Sequence, residues 1–259
     1  LADFVGAADK RLVLGKMDAI SMQATYEEVN CETVTELIDF FRRYQILEKN
    51  ARRPLIRGER KFSYEPTAGI FRNKVAEKSE VAIFNEFQRH IPAYSSADTS
   101  NLWNVMALAQ HHGLPTRLLD WTTNPLVAAY FACEGESDSD SAVWIVWGFD
   151  HEDTSPLPAN PTDIKQVFCV TPWVISPRIQ AQSGEFTAHP NGKPISEFLT
   201  HEDRILKIRI SREKRVRFLL QLDLIGINRR TLFPDLDGLA QYLRWRTNPD
   251  HIDLGFVRN

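Results

Sequence analysis

The sequence predicts an α+β fold, a single domain with a mixed or antiparallel β core and flanking helices. Three observations carry that expectation. Apolar residues recur with helical spacing in several bounded segments, while other short segments are continuously apolar or alternate apolar with charged residues as strands do. Helix-like and strand-like segments interleave without a regular strand–helix–strand rhythm, which argues against a doubly wound parallel sheet. No repeat or obvious linker divides the chain, and its 259 residues, 43% hydrophobic and 25% charged, suffice to bury one core without disulfides or metal.

Taken in order, residues 1–15 show no period and read as a tail, and residues 19–30 mix β-branched and polar types as a strand does. The expected division is a tail and first strand over 1–29, the folded domain over 30–250 and a tail over 251–259. TVTELIDFFRRYQI is a helix, with Thr33 and Glu36 as a capping box and Val34, Leu37, Ile38 and Phe41 on one face. RPLIRG (53–58) is a short strand ending at a glycine. EVAIFNEFQRHIP (80–92) is a helix with Val81, Phe84, Phe87 and Ile91 on one face, stopped by Pro92. Residues 101–112 form another, with Leu102, Val105, Met106 and Ala109 inward and Gly113 as its C-terminal cap.

Thr116 to Trp121 reads as a strand, and Asn124-Pro125 starts the next helix, LVAAYFA. An acidic, Ser-rich loop (134–141) follows, in which Glu134 and Glu136 read as solvated; AVWIVWGF is then an apolar strand. Residues 150–162 are a Pro-rich loop. Strands are expected around 166–170 and 204–210, the latter with Leu206, Ile208 and Ile210 alternating with Lys207 and Arg209. REKRVRFLLQLDLIG is a helix closed by Gly226, with Arg212, Lys214, Arg215 and Arg217 on a solvated face. A last helix follows Pro234, with Leu236, Leu239 and Leu243 in phase.

Charge and cysteine usage narrow the function. With 34 acidic against 31 basic residues the net charge is −3, so no global basic field holds nucleic acid, although a local strip leaves such a partner open. Cys31, Cys133 and Cys169 are widely spaced without a CxxC pair, which suggests neither a zinc site nor a disulfide framework, and no metal is expected. No apolar run approaches the roughly 18 residues of a membrane span. The N-terminus also lacks the order of a signal peptide, so a cytoplasmic protein without a membrane partner is expected.

The stretch QHHGLPTRLLDWTTNP (110–125) concentrates the chemistry. Gln110, His111, His112, Arg117 and Asp120 fall within eleven residues, just ahead of an apolar helix. Connections between a strand and a helix carry sites readily, and the helix N-terminus at Asn124 offers free N–H groups to phosphate or carboxylate. Each residue alone has a plain structural role: Arg117 and Asp120 can pair, Trp121 can be core, and a histidine can cap the preceding helix. Together they point to a site. Adjacent histidines are poorly spaced for one metal ion, and neither HExxH nor GxSxG occurs.

The blocks PLIRGER (54–60), GIFRN (69–73), QHHGLPTRLLDWTTNPLVAAYFA, VWIVWG, RIQAQSGEFT (178–187) and LIGINRRTLFPDLDGLAQYL resemble the FRG domain family across about residues 30–245. The Phe-Arg-Gly tripeptide that names the family stands here as Ile56-Arg57-Gly58. The resemblance implies a toxin or phage-defence setting, with an antitoxin or phage protein as partner.

A more distant resemblance is to ADP-ribosyltransferase domains, which present an Arg-Gly strand, a Ser/Thr strand leading into a helix ending Phe-Ala, and a late Gln/Glu motif. Here these are Arg57-Gly58, Thr122-Thr123 before LVAAYFA, and Gln182 with Glu185. It implies an ADP-ribosyltransferase-like fold and a nucleotide, NAD, as substrate, cleaved at its nicotinamide–ribose bond with transfer or hydrolysis.

On that reading Arg57, His112, Asp120 and Glu185 are catalytic, and Arg117, Trp121, Thr122, Gln182 and Arg72 bind substrate. Glu185 would stabilise positive charge on the ribose, and Arg57 would hold pyrophosphate. Trp121 would stack on a ring, and His112 or Asp120 would orient the nucleophile or a ribose hydroxyl. Arg178 and Gln180 stand second to these. Other readings remain open. Arg57 can instead be a structural partner of Glu59 or Asp120, and Gln182 and Glu185 can belong to a solvated turn. The protein can be a nuclease using His111 or His112, or a non-catalytic module that binds nucleotide or protein. The site reading requires Arg57, His112, Arg117, Asp120 and Trp121 to line one cleft.

Overall fold

A computed structural model describes residues 25–47, 53–148, 157–171, 176–200 and 203–248. Residues 1–24, the 150–156 part of the Pro-rich loop and the 251–259 tail lie outside the described residues. The first half of the chain holds β1 (Thr25–Asn30), α1 (Val34–Leu47), β2 (Leu55–Glu59), α2 (Gly69–Arg72), α3 (Lys74–Lys78), α4 (Glu80–Tyr94), α5 (Leu102–His111) and β3 (Leu118–Thr122). Then come α6 (Pro125–Cys133), β4 (Ser141–Trp147), β5 (Phe168–Val170), α7 (Pro177–Ala181), β6 (Gly184–Ala188), β7 (Arg204–Ile210), α8 (Arg215–Leu224), α9 (Arg229–Leu232) and α10 (Leu236–Arg246).

The strands form one sheet in the order β1-β7-β4-β2-β3-β6-β5. The β1/β7 pair is parallel and the other pairs are antiparallel, so the α+β class holds with a mixed sheet. Alternation along the strands sorts side chains to two faces. On one face Ile56, Val143, Ile145, Leu206 and Ile208 meet α1, α6 and α8, while Leu118, Phe186 and Ala188 meet α4 and α5. On the other face Leu55, Leu119, Trp121, Trp144 and Val146 pack under Ala68, Ile195 and Leu199.

Several local signals act as the sequence leads one to expect. Asn124 accepts the Leu126 N–H ahead of Pro125, and Asn101 caps α5. Gly113, at φ 84°, ends α5 with its N–H on Gln110 and the Leu114 N–H on Ala109, a Schellman arrangement. Thr33 accepts from Glu36 N–H, but Glu36 reaches back to Glu32 N–H, one residue earlier than a capping box requires.

Elsewhere tertiary packing overrides the pattern. The α4 helix runs through Pro92 to Tyr94, since a proline near a C-terminus forfeits little more than one hydrogen bond. Ile38 and Val81 point outward, and so do Leu236, Leu239 and Leu243, because α10 instead packs through Gly238 and Tyr242. Arg215 is buried rather than on a solvated face; its Nη2 donates to the carbonyls of Cys133, Glu134 and Gly135, 3.2 Å each, and so closes α6. Glu134 is not solvated either: it accepts from Tyr130 Oη and pairs with Arg229. The short helices α2, α3, α7 and α9 and the strand β6 carried no readable period.

Helix α6 lies directly on β2 at Gly58. A Cβ there would run into the Ala128 carbonyl oxygen and the Ala132 nitrogen. Gly58 is therefore a contact point for a helix backbone and not a flexible joint. Gly58→Ala should cost about 3 kcal/mol or more in urea unfolding, since backbone atoms must move. Gly113→Ala, which meets open space, should cost only about 1 kcal/mol for its positive φ. Equal costs would show that close packing does not fix Gly58.

Candidate functional site

The site begins where β2 and β3 part. Their register consists of one pair, Ile56 with Thr122, although β2 pairs with β4 along its whole length. Past that pair Arg57 spans the seam. Its Nε donates to Glu59 Oε1 at 2.6 Å, and its Nη1 donates to the Asp120 carbonyl at 2.6 Å and stands 3.9 Å from Asp120 Oδ2. Burial alone would lower the Arg57 pKa, but the Glu59 and Asp120 carboxylates hold it above its ordinary value. The structural pairing left open for Arg57 thus exists with both partners. The Nη2 donors make no hydrogen bond among the described residues, so the guanidinium keeps capacity for a ligand.

The sheet divides the expected site residues into two sets. Arg57, Trp121 and Glu185 occupy neighbouring strands on one face: Trp121 is the register partner of Glu185, and Arg57 follows the Ile56–Thr122 pair. Glu185 accepts from Thr171 Oγ1 at 3.0 Å. Trp121 is 3% exposed, and its ring faces are closed by packing. A stacking role for Trp121 is therefore not available in this structure.

Asp120 and Thr122 lie on the opposite face. The Asp120 side chain is 56% exposed and accepts from Gln110 Nε2 at 2.8 Å, while Gln110 Oε1 accepts from Thr116 Oγ1. Thr122 Oγ1 donates to the Gln182 carbonyl, and Gln182 Nε2 donates to the Leu232 carbonyl. His112 is exposed at the end of α5, edge-on to His111 at 5.0 Å. His111 Nδ1 lies 3.3 Å from Ser176 Oγ, and burial, with Arg178 and His112 nearby, holds its pKa below the ordinary value.

Two further expected residues stand apart. Arg117 is buried and forms a two-point pair with Glu80 at the start of α4, Nε to Oε1 at 2.7 Å and Nη2 to Oε2. That pair ties β3 to α4 and leaves little for a ligand. Arg72 is exposed at the end of α2. Arg57 and Asp120 come together, whereas Arg117 and Trp121 are interior. The single cleft expected for all five is therefore a seam with residues on either side.

Beneath the seam runs a buried chain that sequence reasoning missed. Trp121 Nε1–H donates to Thr187 Oγ1, and Thr187 Oγ1 lies 2.8 Å from His189 Nε2. Thr187 Oγ1 carries one proton and two lone pairs, so it serves the Trp121 indole and the His189 Nε2 together, and Nδ1 is the other ring nitrogen. That Nδ1 is buried and has no partner among the described residues. No motif marks His189 in the sequence; its role comes from the fold of β6. Among the described residues no group of three His, Cys, Asp or Glu is placed to hold a metal, and no helix is long and apolar enough to cross a membrane.

Residues 52–141 match the family model of the FRG domain. The chain carries an FRG domain. Its matched span runs from β2 to the first residue of β4, and so contains Arg57, Gly58, His112, Asp120 and the whole of α6. The FRG match stops before Gln182 and Glu185. No curated protein and no solved structure matches the chain significantly.

The buried histidine gives a pH signature. Burial, reinforced by the Arg57 charge, pushes the His189 pKa down from 6.5 to about 4. As pH falls from 6.5 to 4 the unfolded chain binds a proton that the folded one refuses. Stability is therefore complete above 6.5 and declines through that window by on the order of 3 kcal/mol. Denaturant unfolding at a series of pH values should show this decline, and His189→Gln should remove it. An unchanged profile in the variant would mean that other groups carry the acid sensitivity.

Proposed function

We propose that the β2/β3 seam binds NAD and that the protein cleaves the nicotinamide–ribose bond, by ADP-ribosyl transfer or hydrolysis. The observation that carries this reading is topological. The Arg57-Gly58, Thr122-Thr123 and Gln182/Glu185 motifs are far apart in sequence, yet they sit on or beside three neighbouring strands, β2, β3 and β6. A second observation supports it: Ser183, between Gln182 and Glu185, is the one non-glycine residue among those described with positive φ, at 48°. Backbone strain of this kind gathers at functional turns.

In the proposed reaction the bond from ribose C1′ to the nicotinamide nitrogen breaks and nicotinamide leaves as a neutral base. Water or an acceptor oxygen takes its place and gives up its proton. Glu185 would stabilise the positive charge that builds on the ribose. Arg57, held in place by Glu59 and the Asp120 carbonyl, would offer Nη2 to the pyrophosphate. The toxin or defence setting associated with FRG proteins belongs to the same proposal.

Calorimetric titration with NAD, run beside an assay for released nicotinamide, tests it. Wild type should bind and turn over. Arg57→Ala should weaken binding about tenfold or more through a lost charge-assisted contact. Glu185→Gln should keep binding and lose turnover about a hundredfold, because its charge acts only as the ribose becomes positive. Absence of NAD binding by wild type ends the proposal, and binding without turnover leaves a nucleotide-binding module.

A further inference from the structure

Helix α10 is apolar on two sides. One side, with Gly238 and Tyr242, is buried, and Gly238 allows such a close approach that a Cβ would meet the Phe233 carbonyl. The other side presents Leu236, Leu239 and Leu243, which are 84%, 36% and 51% exposed. Spacings of three and four residues align these leucines in one stripe, the pattern of a two-helix seam. Asp223, at the end of α8, hydrogen-bonds Tyr242 on the buried side, which leaves the leucine side free of α8. Monomeric proteins rarely leave such a stripe uncovered.

The charges beside the stripe indicate what covers it. Asp235 and Asp237 stand at the start of α10, and Arg244 and Arg246 stand at its end. On a helical projection Asp237 and Arg244 lie on one flank of the leucines, and Asp235 and Arg246 lie on the other. Set against a parallel copy of itself, the helix would oppose acid to acid and base to base. Set against an antiparallel copy, Asp237 falls beside the partner's Arg244 at both ends of the contact, and Leu236 falls beside the partner's Leu243.

We propose that α10 pairs with α10 of a second copy of this chain, antiparallel about a two-fold axis near Leu239. The contact is isologous, each copy offering the same patch. An eleven-residue helix is about 16 Å long, too short alone for the roughly 800 Å² per partner of a tight complex. The dimer is therefore a weak one that forms reversibly with concentration.

Sedimentation equilibrium of the full chain, from low micromolar to near-millimolar concentration, reads this directly. Wild type should show a reversible monomer–dimer equilibrium. Asp237→Arg and Arg244→Asp each put like charges together at both ends of the contact and should each weaken the dimer about tenfold or more. Mixed in equal amounts, the two variants should dimerise again, because each reversed charge then faces its complement. Both side chains are exposed, and circular dichroism should show that the fold is unchanged. Wild type that stays monomeric throughout overturns the proposal. So do single variants that dimerise like wild type, and so does a mixture that stays monomeric.

Discussion

The close seating of α6 on β2 at Gly58 is the contact from which the rest of the architecture follows. Because no side chain separates them, the Ala128 and Ala132 backbone rests on the strand. That fixes where α6 must begin, at the Asn124 cap directly after β3, and so fixes how β3 approaches β2. The far end of α6 is held just as firmly, by Arg215 on three carbonyls and by Glu134 between Tyr130 and Arg229. A helix constrained at both ends and in the middle leaves β3 little freedom to run alongside β2. The two strands meet at one residue pair and separate.

Separation has a cost, since backbone groups that leave a ladder must find other partners. The Asp120 carbonyl finds one in Arg57. A guanidinium drawn into a sheet in turn needs compensation for lost hydration, and Glu59, two residues along on the same face of β2, supplies it. The tripeptide Ile56-Arg57-Gly58 thus performs three separate tasks on consecutive residues: core packing, bridging of the seam, and helix contact. Replacing the family's aromatic by Ile56 changes only the first, and Ile56 remains fully buried.

Much of this was legible in the sequence, and what escaped did so for definable reasons. The β2, β3, α5 and α6 elements were readable because their boundaries rest on local chemistry, a proline, a cap or a glycine. The leucines of α10 are in phase as read, but periodicity finds an apolar face without saying which of two faces is inward. Arg117 and Arg57 look alike as residues near strands, yet one is satisfied by Glu80, 37 positions away, and the other by its own strand. Such long-range pairing has no sequence period. Trp121 was open to two readings, core residue or ligand platform, because an indole beside polar residues fits both; its N–H is answered by Thr187 from the adjoining strand. His189 could not have been found, since its isolation depends on β6, a strand without an alternating pattern of its own.

The division of the candidate residues between two faces of the sheet constrains how they can act together. Residues of β3 alternate, so Leu119 and Trp121 belong to one face while Asp120 and Thr122 belong to the other. Glu185 and the Trp121–Thr187–His189 chain lie with the first set, and Gln110, Gln182 and the paired imidazoles at the end of α5 lie with the second. In an evenly paired sheet the two sets would be insulated by a continuous hydrogen-bonded ladder. Here the ladder is open between β2 and β3, and Arg57 passes from its own face to the Asp120 carbonyl. One guanidinium therefore senses both sides, through Glu59 on one and Asp120 on the other. That makes Arg57 the one of these residues that contacts both sets directly.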